Sequence, residues 1–131
     1  MRRIVDTDFD GLVNELGDFG DGFPLLAAMC EKNVFTGMPC FYVVEDGAPR
    51  GVAVVDPDGY PLYAKVWVLE TERDYRGKGI GTELLRHILV KYDDVKLCAM
   101  RPAFDFYRKN GFVYVGEPDP KSNVCFMVSK A

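Results

Sequence analysis

Arg76-Gly77-Lys78-Gly79-Ile80-Gly81 stands between two stretches of different character. Before it, Tyr63-Ala64-Lys65-Val66-Trp67-Val68-Leu69 is rich in β-formers and predicts a strand. After it, Ile80, Leu84, Leu85, Ile88 and Leu89 recur at helical spacing, which turns one face inward and leaves Arg86 and Lys91 to solvent. A strand, a glycine turn and a helix start together aim unpaired backbone N–H groups, and the positive end of the helix dipole, at one point. An anion with many oxygens is expected there. Gly77, Gly79 and Gly81 are free to take positive φ and let the backbone approach a diphosphate, and Arg76 and Lys78 add charge beside it. The stretch is no Walker loop, which needs Lys followed by Ser or Thr after four spacers, and Thr82 stands where a dinucleotide fingerprint needs its third glycine. Taken alone, the glycines read equally well as an ordinary turn.

A second segment narrows the choice. Ala103-Phe104-Asp105-Phe106-Tyr107-Arg108-Lys109-Asn110-Gly111-Phe112 reads as a short helix carrying a tyrosine, then a Gly-Phe step into a strand. With Arg76-x-x-Gly79-x-Gly81 before it, the pair resembles the signatures of the GNAT family of N-acetyltransferases, over about residues 60–116. The resemblance implies an α/β (α+β) fold: a mixed, mostly antiparallel central sheet flanked by about four helices and splayed between its two central strands. It implies acetyl-CoA (coenzyme A) as cofactor. The backbone of Leu69, Glu70 and Thr71 would pair with the pantetheine arm. Arg76, Gly77, Lys78, Gly79, Ile80, Gly81 and Thr82 would hold the diphosphate. Tyr107 would lie near the thioester sulfur, hydrogen-bonding and protonating the leaving thiolate. Its alternative is a core aromatic on the face of Ala103 and Phe104.

Departures from the family pattern bear on catalysis. Lys65 falls near the strand position where some members place a glutamate base, so Glu70 and Glu72 are the nearest catalytic carboxylates, alternatively solvated loop residues, and the base is unassigned. A backbone N–H near Thr71 would polarise the carbonyl. Met100 replaces an asparagine that often bonds the cofactor. Cys98 raises an acyl-cysteine route, but His87 belongs to another helix.

Composition sets bounds. The 131 residues, 48% hydrophobic, suit one domain spanning 1–131. No apolar run approaches the roughly 18 residues of a membrane span, and Asp6 comes too early for a signal peptide. A soluble, cytoplasmic protein is expected, without membrane contact. Cys30, Cys40, Cys98 and Cys125 sit among apolar neighbours with no Cys-x-x-Cys pair, and read as reduced buried thiols with no metal site. Residues 1–65 hold 5 Lys/Arg against 11 Asp/Glu, residues 66–131 hold 11 against 9. The basic half contains the glycine loop, and the acidic half would suit a cationic amine or simply coat a solvated surface. Nucleic acid is a poor partner for a chain of net charge −4. A small-molecule or peptide amine acceptor is expected, and a homodimer is compatible with the chain.

The remaining elements are a strand at Arg3 to Val5, a helix capped by Asp6 or Asp8 with Phe9, Leu12, Val13 and Leu16 inward, and a second helix from Pro24 to between Cys30 and Asn33. A hairpin joins 41–45 to 51–55 through Asp46-Gly47, Asp58-Gly59 turns into a strand over 60–69, and Val95 to Met100 is a buried strand. Pro102 to Lys109 is the tyrosine helix, stopped by Asn110-Gly111, with strands at 112–115 and 124–128. The order after the two helices reads ββαβαββ. The acceptor pocket would come from residues 9–33 and 117–123, with Asp18, Phe19, Asp21 and Phe23. Two functions compete: an acetyl-CoA-dependent N-acetyltransferase acting on a primary amine, and a CoA-binding regulatory or interaction module without turnover. Phosphate binding by an unrelated nucleotide fold is disfavoured by the tyrosine helix.

Overall fold

Alternating apolar residues and tight turns draw the chain into one seven-stranded sheet. A computed structural model describes residues 2–17, 22–30, 35–57, 63–116 and 120–129. In chain order the elements are β1 (Arg3–Asp8), α1 (Phe9–Leu16), α2 (Pro24–Cys30), β2 (Pro39–Glu45), β3 (Ala48–Asp56), β4 (Tyr63–Thr71), α3 (Ile80–Lys91), β5 (Asp94–Met100), α4 (Phe104–Lys109), β6 (Phe112–Tyr114) and β7 (Val124–Ser129). Local chemistry explains most boundaries. The Asp8 carboxylate accepts from the Gly11 N–H at 2.8 Å and caps α1. Asp46 and Gly47 both take positive φ, 55° and 80°, which gives the β2–β3 hairpin a two-residue turn matching the strand twist.

The strand order is β1-β2-β3-β4-β5-β7-β6, antiparallel throughout except β4 with β5, which α3 connects. The expected α/β (α+β) sheet is therefore present, with corrections. After the two helices the order is βββαβαββ: the three strands expected at 41–45, 51–55 and 60–69 are all present, so the order ββαβαββ is one strand short. The tyrosine helix starts later, at Phe104, because Pro102 lies in a separate 3₁₀ turn over Arg101–Ala103. The Asp58-Gly59 turn and the start of the following strand fall outside the described residues. Among the described residues no helix is long and apolar enough to cross a membrane.

Two apolar layers sandwich the sheet. On one face α3 inserts Ile80, Leu84, Leu85 and Ile88 against Val43, Ala53, Val66 and Leu97. On the other, α1 and α2 place Leu12 and Leu26 over Val52, Val54 and Val68. Gly51 fixes how close α3 lies. A Cβ there would collide with Ile80 Cγ2 and sit 3.1 Å from Leu84 Cδ1. Gly51→Ala is accordingly expected to lower stability by about 1–3 kcal/mol, the usual range for overpacking, read as a lower melting midpoint. An unchanged midpoint would mean α3 shifts outward at no cost.

The feature that positions the site is where β4 and β5 stop pairing. Their register runs only from Tyr63↔Asp94 to Val66↔Leu97. Beyond it β4 stays paired to β3 out to Thr71↔Gly51, and β5 to β7 out to Met100↔Val124. Each strand is thus held by its outer neighbour while the inner edges part. The opening coincides with a bulge in β4: Val54 and Val55 face Val68 and Val66, leaving Trp67 as the extra residue. A bulge adds twist and breaks the alternation of faces. Trp67 and Val68 consequently both lie on the α1/α2 layer, while Val66 and Leu69 belong to the other.

Candidate functional site

The glycine loop forms the cradle its composition suggests. Gly77 and Gly79 adopt φ of 78° and 85°, in the left-handed region that side chains resist. Gly79 is the N-cap of α3 and supplies no capping side chain, so the first-turn N–H groups remain available to an anion. Glu83 N–H closes the first intrahelical bond to Gly79 O at 3.0 Å. Gly81 corrects the expectation of a third positive φ: it lies inside α3, and a Cβ there would sit 3.2 Å from the Phe106 ring. Its glycine lets α3 approach α4 rather than a ligand. Arg76 and Lys78 are exposed. Arg76 Nε donates to the Thr71 carbonyl at 3.3 Å, and Lys78 Nζ lies 4.8 Å from the centre of the Tyr75 ring. Ile80 is 1% exposed, leaving only its backbone to face a ligand, and Thr82 is half-buried in the same turn.

Beyond the point where β4 and β5 stop pairing, a cavity of about 130 Å³ is lined by Leu69, Leu97, Cys98, Met100 and Tyr107 among others. Tyr107 is 9% exposed, with its ring edge-on to Phe106 and Phe112. It is both a core aromatic and a cavity wall. Burial alone pushes its phenol up to about 12, so it is a neutral donor across physiological pH. Since that exceeds the ordinary value of 10.0, the contribution of Tyr107 to stability is full below pH 10 and is lost as pH rises from there through about 12.

The carboxylates occupy other posts. Glu70 is no solvated loop residue: it is 8% exposed, and its two oxygens accept from the Leu25 and Leu26 N–H groups at 3.0 and 2.9 Å. It caps the start of α2, which has no acidic residue of its own in its first turn. Glu72 pairs with Arg50 at 3.1 Å. Neither lines the cavity, and no carboxylate or imidazole among the described residues does. Glu70→Ala should strand the buried Leu26 N–H and the part-buried Leu25 N–H and cost about 1–3 kcal/mol in thermal unfolding. A variant as stable as the parent would remove the capping role.

Other expectations are also redistributed. Cys98 is exposed at the cavity, against the expected buried thiol, because β5 turns its even-numbered residues away from the α3 core; Cys40 and Cys125 are buried. His87 bonds Asp6 at 2.7 Å and stacks edge-on to Phe41. Phe23 is 3% exposed in the α1/α2 core rather than a pocket wall. Asp18, Phe19 and Asp21 lie outside the described residues. Two participants carried no motif. Trp67 lines the cavity beneath the Lys65 ammonium, 4.0 Å from the ring centre, and its buried Nε1 has no hydrogen-bond partner among the described residues. Arg2 reaches the cradle from the far end of the chain, its Nη2 donating to the Lys78 carbonyl at 3.0 Å.

Comparison with known proteins agrees with this geometry. The family model of the GNAT acetyltransferase domain matches residues 38–114, which hold β2 through β6 and the cradle. An uncharacterised N-acetyltransferase of Staphylococcus saprophyticus is 36% identical over 59 residues, 45% of this chain and 40% of that protein. Among solved structures, an IAA acetyltransferase from Bacillus cereus superposes with a TM-score of 0.75 at 14% identity, covering 98% of this chain and 99% of its own. A GNAT family acetyltransferase from Elizabethkingia anophelis with acetyl-CoA bound gives 0.73 at 13% identity, covering 99% and 98%.

Proposed function

The chain belongs to the GNAT acetyltransferase family, and on that premise we propose that it transfers an acetyl group from acetyl-CoA to the primary amine of a small molecule or peptide, by direct attack in a ternary complex. The observation that carries the reading is an uncapped, glycine-lined helix start beside the end of β4, whose inner edge parts from β5 and lines a cavity with the Tyr107 ring. Bound acetyl-CoA supplies the thioester carbonyl and the thiolate leaving group. The first-turn amides of α3 and the glycine loop would hold its diphosphate, with Arg76 and Lys78 adding attraction. The inner edge of β4 at Leu69, Glu70 and Thr71, no longer paired to β5, would offer backbone groups to an amide-bearing arm, and an N–H of this edge would polarise the carbonyl.

Tyr107 would donate a hydrogen bond to the sulfur as charge develops. A phenol near 12 is a poor proton source for a thiolate, whose conjugate acid lies near ~8.5. Its contribution is therefore stabilisation of charge, and the proton shed by the amine neutralises the thiolate in the end. With Glu70 holding α2 and Glu72 holding Arg50, the described residues supply no base at the cavity, and bulk water or an acceptor arriving as free amine would meet the need without one.

The second reading, a CoA-binding module without turnover, is favoured by Met100 and by the lack of any carboxylate or imidazole among the described cavity residues. Thiol release from acetyl-CoA with a panel of amines, beside a thermal-shift titration with CoA, separates the two. Release with at least one amine is expected. Binding without release would leave the second reading standing.

A further inference from the structure

Arg2 forms three hydrogen bonds around the cradle. Its Nη2 donates to the Lys78 carbonyl at 3.0 Å, its Nη1 to Glu83 Oε1 at 3.1 Å, and its Nε to Glu45 Oε1 at 3.0 Å. The guanidinium lies over Gly79, with Nη1 3.7 Å from where a Cβ would stand. One fork thus joins β2, the loop peptide and the first turn of α3.

Two consequences follow from peptide geometry and charge. A peptide unit is planar and trans, so its C=O and the N–H that follows point in opposite directions. With the Lys78 carbonyl drawn toward Arg2, the Gly79 N–H is turned to the other side of the loop. Glu83, meanwhile, is an acidic group in the first turn of the helix meant to receive an anion. Its carboxylate suits the helix dipole but opposes a diphosphate, and the Arg2 fork offsets it. Glu45 anchors the guanidinium from the sheet.

We infer that Arg2 is a positioning residue of the cofactor cradle: it fixes the Lys78–Gly79 peptide with its N–H toward the diphosphate and neutralises Glu83 beside it. The inference rests on the acetyl-CoA reading above. Lys78 and Gly79 are local to the loop, whereas Arg2 is brought there only by the pairing of β1 with β2.

The test is calorimetric titration of CoA into the parent, Arg2→Met, Arg2→Lys, Glu83→Gln and the Arg2→Met/Glu83→Gln pair, each with its melting temperature. Arg2→Met keeps the length of the side chain and removes the fork, and should weaken CoA binding roughly 3- to 10-fold, the worth of one hydrogen bond. Arg2→Lys, which keeps charge near Glu83 but supplies no fork, should fall between. Adding Glu83→Gln to Arg2→Met should recover part of the loss, a rescue that a purely structural role would not give. Equal affinity in parent and Arg2→Met, or a loss that Glu83→Gln leaves untouched, overturns the inference. A parent that does not bind CoA would instead overturn the cofactor reading beneath it.

Discussion

Tyr107→Phe is expected to lower kcat by about 10²- to 10³-fold while CoA affinity and the melting midpoint barely move, the loss typical of removing one donor aimed at developing charge. The phenylalanine ring keeps the edge-on contacts with Phe106 and Phe112, so packing is preserved. Only the hydroxyl is lost. Rates of thiol release under saturating acetyl-CoA, with calorimetry and thermal unfolding alongside, check each part. A variant that melts well below the parent yet turns over normally would make Tyr107 a core residue only, and its ring contacts show what such a role would rest on.

Gly79→Val should weaken CoA binding by more than about tenfold, or ~1.4 kcal/mol. The reason lies in the dihedral rather than in space. Among the described residues beyond its chain neighbours, Arg2 Nη1 alone comes within 4 Å of a Cβ at this position, but φ is 85°, where a β-branched residue is strongly disfavoured. The valine must rotate out of that region, and the N–H groups at the start of α3 turn away with it. Stability should fall by only about 1–2 kcal/mol, since the loop is exposed and the core below it begins at Ile80. Calorimetry showing parental affinity would place the cofactor elsewhere.

How much of this was legible in the sequence follows from the range of the interactions. Helix and turn punctuation is local, so Asp8, Asp46-Gly47, the helical spacing of Ile80, Leu84, Leu85 and Ile88, and the Gly-Phe after the tyrosine helix announced their elements. The resemblance supplied the splayed sheet, which no periodicity encodes. The capping role of Glu70 is invisible in the sequence because its partners, the Leu25 and Leu26 amides, are 45 and 44 residues away, and a carboxylate next to a loop reads as solvated until the helix it caps is placed. Gly81 misled because two neighbours in the same cluster do take positive φ, whereas its own need comes from Phe106 on another helix. Cys98 is apolar on paper, yet the pleat turns it toward the cavity. Arg2 lay beyond any motif, joined to Lys78 across 76 residues.

On the proposed function, acetyl-CoA would lie with its diphosphate on the Gly77 to Thr82 cradle and its thioester between β4 and β5. Diffraction from crystals grown with acetyl-CoA tests it most directly. Diphosphate density within hydrogen-bonding reach of the loop and first-turn amides, with the pantetheine arm along the free edge of Leu69 to Thr71 and the sulfur near the Tyr107 hydroxyl, is the predicted result. Cofactor density away from that cradle, or β4 and β5 zipped together beyond Val66 and Leu97 with the cofactor bound elsewhere, would contradict it.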